Sequence, residues 1–156
     1  MYILKPVHIL PESASLKISA MFKTVLFPVD QSRETREAAE VVINIVKTYS
    51  SRLVLLSVVE QPDPEAETPS PETMTPEAVA ELLNGAKALF SQQGIEAEIL
   101  SREGMPAFTI CDVADEIDAN LIVMGCRGLG LTEEGASESV TNRVINLSPC
   151  PVLIVP

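Results

Sequence analysis

Basic residues are scarce in this chain of 156: 11 Lys and Arg stand against 22 Asp and Glu, a formal net charge of −11. A nucleic-acid surface needs clustered Lys and Arg to neutralise phosphates, so that class of function is excluded. A small nucleotide is not, because its site needs only local donors. The surplus of acid reads first as solubility. Histidine is nearly absent: His8 lacks ligand company, and no second histidine exists for a Ser–His or Cys–His pair. The three cysteines include no CxxC pair, which argues against both a disulfide framework and a zinc site. No apolar run reaches the length of a membrane span. The opening MYILKPVHILPESASLKISA has one early lysine and a broken apolar stretch, a poor signal peptide. Together these shortages predict a cytoplasmic protein with no membrane and no nucleic-acid partner.

What is present is a core and an alternation. Hydrophobic residues make up 46% of the chain, enough at this length for one packed domain. After Met21, apolar runs alternate with amphipathic stretches. Thr24 to Val29 (TVLFPV) reads as a buried strand, and Arg33 to Tyr49 as a helix with Ala39, Val42, Ile43 and Val46 on one face. Leu53 to Val59 is a second continuous apolar strand, the kind covered on both faces. Residues 61–77 (QPDPEAETPSPETMTPE) are dominated by proline and acid and read as a loop inside the domain, because the alternation resumes beyond them.

Thr75-Pro76-Glu77 opens the next helix with an N-cap, a first-turn proline and an acid. Its buried stripe is expected to be Val79, Leu82, Leu83, Ala86, Leu89 and Phe90, with Gly94 as the stop. Ile95 to Leu100 reads as an edge strand and Met105 to Asp118 as a helix with Ile110, Val113, Ala114 and Ile117 inward. Asn120 to Met124 is a fourth strand, Ser139 to Leu147 a short helix, and Pro151 to Val155 a fifth strand. Strands separated by helices imply right-handed crossovers and a doubly wound, mostly parallel α/β sheet. Ligands of such sheets sit at the carboxyl ends of the strands, where the strand order reverses. Residues 1–20 fit none of this and read as an extension: an arm, a partner-binding segment, or an overlong start.

Three stretches together resemble the universal stress protein family: VLFPVD (Val25 to Asp30), GMPAFTICDVADEIDANLIVMG (Gly104 to Gly125) and SVTNRVINLSPCPVLIVP (Ser139 to Pro156). The resemblance covers nearly all of residues 21–156. It implies a Rossmann-like, five-stranded parallel sheet of order 3-2-1-4-5 with helices on both faces. It also implies homodimerisation through the last strand, Pro151 to Val155. Many members bind ATP or AMP and others bind no nucleotide. The family's nucleotide loop looks like G-x2-G-x9-G-[ST]; Gly125 and Gly128 match its first glycines and Ser139 its final hydroxyl, but Glu138 stands at the third glycine.

The matching positions have a physical logic. Glycines let backbone N–H groups approach an anion, and Ser139 opens a helix whose free N–H groups attract one. Arg127 can pair with phosphate. Met124 leads into the loop, and Val140 and Thr141 follow it into the helix. At the other rim, by resemblance, Pro28, Val29, Asp30 and Val58 hold adenine and ribose, while Asp30 also suits helix capping beside Ser32. A carboxylate about 4 Å from a phosphate charge costs on the order of 4 kcal/mol at an effective dielectric of 20. That is roughly a thousandfold in affinity. Glu138 thus fills the anion site itself, turns outward beside a short phosphate tail, or shares a magnesium ion with ATP; Gly135 would allow another register. The expected ligand is AMP or ADP ahead of ATP, with ATP and magnesium the third case.

Nothing in the sequence assembles a reaction centre. Gly125 to Ser139 contains no GK[ST], so the loop is not a Walker P-loop. Slow ATP hydrolysis, which some relatives show, has no candidate base here. Cys126 beside Arg127 is a candidate redox thiol, against the usual inertness of a cysteine in a packed loop. Cys111 and Cys150 read as core. The function expected is a stress-response regulator that binds an adenine nucleotide and acts on an unknown protein partner. The alternative is a nucleotide-free scaffold of the same family, using the extension and acidic loop as surfaces.

Overall fold

The structure, a computed structural model, describes residues 21–60, 74–126 and 140–156. The apolar runs become parallel strands: β1 Thr24–Pro28, β2 Arg52–Val59, β3 Ala97–Glu103, β4 Leu121–Gly125 and β5 Val152–Val155. Between them lie α1 Arg33–Tyr49, α2 Pro76–Gln92, α3 Pro106–Glu116 and α4 Val140–Leu147. The sheet order is β3-β2-β1-β4-β5, all parallel, as the resemblance implies.

The three central strands are almost wholly apolar because both of their faces are covered. Successive residues alternate between two cores. Val25, Phe27, Leu53, Leu55 and Val123 pack under α1 and α2. Leu26, Val54, Leu56, Ile122 and Met124 pack under α3 and α4. The first core is closed by an edge-to-face contact of Phe27 with Phe90, ring centroids 6.1 Å apart.

The helix ends obey the capping signals. Thr75 accepts from the N–H of Ala78 with Pro76 in the first turn. At the far end of α2, Gly94 takes φ +77 while its N–H bonds Ser91 and that of Ile95 bonds Phe90, a Schellman closure. Asp118 closes α3 in the same way without being glycine, at φ 52. Three expectations shift. The third strand begins two residues later than Ile95 and runs on through Ser101, Arg102 and Glu103, because its backbone pairs with β2 as far as Val59. The third helix is shorter than Met105 to Asp118, and Ile117, just past its end, still packs against the inner core though half-buried. Leu89 does not join the buried stripe of α2: it is 43% exposed.

Gly125 ends β4 directly beneath the first turn of α1. A Cβ there would lie 2.6 Å from the backbone oxygen of Glu34 and 3.0 Å from the nitrogen of Thr35. Backbone cannot rotate aside as a side chain can, so any residue but glycine must push α1 off the sheet. Gly125→Ala is expected to lower stability by about 1–3 kcal/mol, as other overpacked sites do. Urea unfolding should show a lower midpoint with an unchanged slope.

Candidate functional site at the strand carboxyl ends

Strand order reverses between β1 and β4, and there the two strands separate. Their paired register covers Val25 with Leu121 and Leu26 with Ile122 only. By contrast β1 stays paired to β2 up to Pro28, and β4 to β5 up to Gly125. The carboxyl ends of β1 and β4 therefore leave a crevice at the switch point, where doubly wound sheets take their ligands.

The β1 rim is rigidly built. Val29 is buried and its N–H donates to the Leu56 carbonyl at 2.8 Å. Ser32 is the N-cap of α1, its hydroxyl accepting from the N–H of Thr35 at 3.2 Å. Asp30, exposed at the rim, accepts from the Ser32 N–H at 2.8 Å and from the Thr35 hydroxyl at 2.6 Å. Ser32 rather than Asp30 caps the helix, and Asp30 braces the capping loop. These bonds fix one carboxylate oxygen, and hence the carboxylate, at the edge of the crevice.

Alternation sorts the other expected residues. Met124 and Val58 belong to the face under α3 and α4, and Pro28 shares it because it lies two residues beyond Leu26. Val29 points the other way, into the core under α1 and α2. Pro28, Val58 and Met124 thus fall on one face of the sheet and Val29 on the other. Gly125 is held between Met124 and the α1 backbone. Cys126 continues beside β5, its N–H bonded to Val155 at 2.9 Å. Arg127, Gly128, Glu138 and Ser139 lie outside the described residues. Val140 and Thr141 open α4, the first exposed and the second half-buried.

Beside Val140 lies a groove of about 290 Å³ that sequence reasoning did not anticipate. Glu60, Met105, Pro106, Phe108 and Arg143 line it with Val140. Met105 is 58% exposed and Phe108 50%, an apolar wall with an acid and a guanidinium on its border. Gly104 forms its floor: at φ +150, with its N–H on the Val59 carbonyl at 3.0 Å, it turns the chain from β3 into α3. A signal was available. Phe108 is a large apolar residue off the inward stripe of its helix, and Met105 occupies an N-cap position with no side chain able to cap. Among the described residues, no group of three His, Cys, Asp or Glu could hold a metal ion, and no helix is long and apolar enough to cross a membrane.

The arrangement is that of a site which binds by shape, apolar contact and a few polar groups. Comparison with known proteins places it. The model of the "Universal stress protein family" matches residues 21–156. The chain is 63% identical over 136 residues to universal stress protein Sll1654 of Synechocystis, covering 87% of each chain. Among solved structures, it is similar to a universal stress protein in complex with cAMP at 25% identity and TM-score 0.68, covering 86% of this chain and 96% of that one. An Arabidopsis thaliana family member with AMP bound, 20% identical, shares the fold at TM-score 0.64 over 85% of this chain and 90% of its own. Sheet order, switch-point crevice and sequence thus converge, and the chain belongs to the universal stress protein family.

Proposed function

We propose that this protein is a regulatory binder of adenine mononucleotides, with AMP or ADP preferred to ATP, and that it acts by presenting a ligand-dependent surface to a protein partner. One observation carries the reading: the parting of β1 and β4 beyond Leu26 and Ile122, with the Asp30 carboxylate anchored at the rim. The related proteins whose structures hold cAMP and AMP support it. In this reading Pro28, Val58 and Met124 contact the nucleoside and Asp30 accepts hydrogen bonds from it. Gly125, Arg127, Gly128, Ser139, Val140 and Thr141 form the phosphate end. Glu138 lies among them and opposes a long phosphate tail. Val29 contributes through its backbone, since its side chain is buried in the far core. The role is binding rather than turnover, with no residue assigned as acid or base.

Calorimetry with AMP, ADP and ATP, with and without magnesium, tests the ligand. AMP or ADP should bind at least as tightly as ATP, and Glu138→Gly should raise ATP affinity by about ten- to a thousandfold. A clear ATP preference in the unmodified protein overturns the role given to Glu138. No binding of any of the three leaves the nucleotide-free scaffold. Asp30→Asn keeps an acceptor for Ser32 and should weaken AMP about ten- to a hundredfold, the scale of a charged hydrogen bond.

Assembly follows from the free edge of the sheet. Among the described residues β5 pairs only with β4, and Val152–Val155 contains no charged residue. Leu153 is 37% exposed, and α4 adds exposed Ile145 and Leu147. Pairing this edge with its twin across a two-fold axis would cover it. Sedimentation at micromolar concentration should therefore give a dimer, and Leu153→Lys should shift it towards monomer.

A further inference from the structure

Two of the three cysteines, far apart in sequence, converge on one turn of the fold. Cys111 is buried in α3 and directs its thiol at the Val144 carbonyl of α4, 4.0 Å away. That same carbonyl accepts the N–H of Ser148 at 2.8 Å, where α4 ends. The Ser148 hydroxyl lies 3.8 Å from the sulfur of Cys150 and also bonds the Cys150 backbone. Both cysteines pack against the core beneath α3 and α4. Cys126 is elsewhere. It follows β4 at the carboxyl edge, whereas Cys150 precedes β5 at the opposite end. Five or six residues of strand separate the two levels, on the order of 18 Å.

The chemistry of the two thiols differs. Cys150 is half-exposed and lies in the irregular link Ser148–Pro151, outside any helix or strand. Cys111 is enclosed within a helix. Burial pushes the Cys111 thiol up, with the Asp112 carboxylate and Cys150 adding to the rise. Burial also pushes Cys150 up, opposed by the Ser148 hydroxyl and the Ile122 N–H that face its sulfur. Both therefore rest as thiols.

We propose that Cys111 and Cys150 form a reversible disulfide under peroxide, a modification site that pins α3 to the link between α4 and β5. The exposed sulfur reacts first: Cys150 gives its proton to solvent, the thiolate attacks a peroxide oxygen, the O–O bond breaks, and a sulfenic acid forms. The hydroxide released takes a proton back from solvent and leaves as water. Cys111 then attacks the sulfenic sulfur, the S–O bond breaks, and the hydroxyl departs with the Cys111 proton as a second water. Two thiols lose two electrons and one peroxide gains them. Closing the bond requires the sulfurs to reach about 2 Å with α-carbons within about 7 Å, and the link carrying Cys150 is the part that moves.

The test uses the full chain. Reduced protein is treated with equimolar hydrogen peroxide, quenched with an alkylating reagent under denaturing conditions, and weighed without reductant. The expected product has lost two hydrogens, about 2 Da, and carries one alkyl group rather than three. Cleavage after glutamate separates Cys111 from Cys126 at Glu116, so the linked peptides identify the pair, and dithiothreitol should restore three free thiols. Cys126→Ser should react unchanged and Cys150→Ser should not close. Three alkyl groups on the treated protein, a bridge that includes Cys126, or an intermolecular bridge overturns the proposal. The mapping is made on the unmodified chain, so it holds whether or not a Cys111 variant folds.

Discussion

The first turn of α1 rests on β4 so closely that residue 125 has no room for a β-carbon. Much of the upper edge of the molecule is arranged by that contact. It sets the height of α1 against the sheet, and with it the position of Ser32 and Thr35 at the helix start. Those two residues hold Asp30. A chain of short contacts thus runs from the end of β4, through the α1 backbone, to the carboxylate beyond β1. The two lips of the crevice are fixed relative to one another although their strands are not paired there. Glycine at 125 would be read from its loop context as a phosphate cradle. In the fold it is first a packing residue, and the two roles are compatible because the contact with α1 uses the position a side chain would occupy, not the backbone N–H.

The sheet ends in two unlike edges. β3 presents charge: Glu98 pairs with Arg52 of β2, and Arg102 pairs with Glu116 of α3, at 2.6 and 3.1 Å. Exposed pairs of this kind add little stability. Their effect is to make edge-to-edge association unfavourable, since a second strand would have to desolvate them. Among the described residues β5 carries no such guard, and its apolar residues continue onto the exposed Ile145 and Leu147 of α4. Charged and apolar edges on one sheet amount to a choice of which edge can be covered.

The strand and helix order was legible because both faces of the central strands are buried, so β1, β2 and β4 appear as almost wholly apolar runs. The N-cap at Thr75, the proline after it and the stop at Gly94 are local devices, and they survived into the structure unaltered. Most of what was misread depends on partners distant in sequence. The end of β3 is polar, and only backbone pairing with β2 holds Ser101 to Glu103 in the strand. Leu89 lies about 80° around the helix from Val79 at 100° per residue, on the flank of the stripe. Whether a flank is covered depends on how far the sheet extends, and β3 is the last strand on that side. Val29 resembled its neighbours Pro28 and Asp30 in position, yet strand alternation turns its side chain into the opposite core. The groove beside Phe108 was hidden because it is made by three elements distant in sequence. The glycine-loop residues Arg127, Gly128, Glu138 and Ser139, expected from the sequence pattern to meet phosphate, lie outside the described residues.

The groove beside Val140 and the turn that carries Ser148 lie at opposite ends of the same short helix. α4 has eight residues, and its centre, Val144, is fully buried while its carbonyl meets both the Cys111 thiol and the Ser148 N–H. Val140 at its start lines the groove, together with Arg143 one turn on. The buried Val144 anchors α4 in the core, so the irregular link Ser148–Pro151, and not the helix, is the part that moves when the two sulfurs approach.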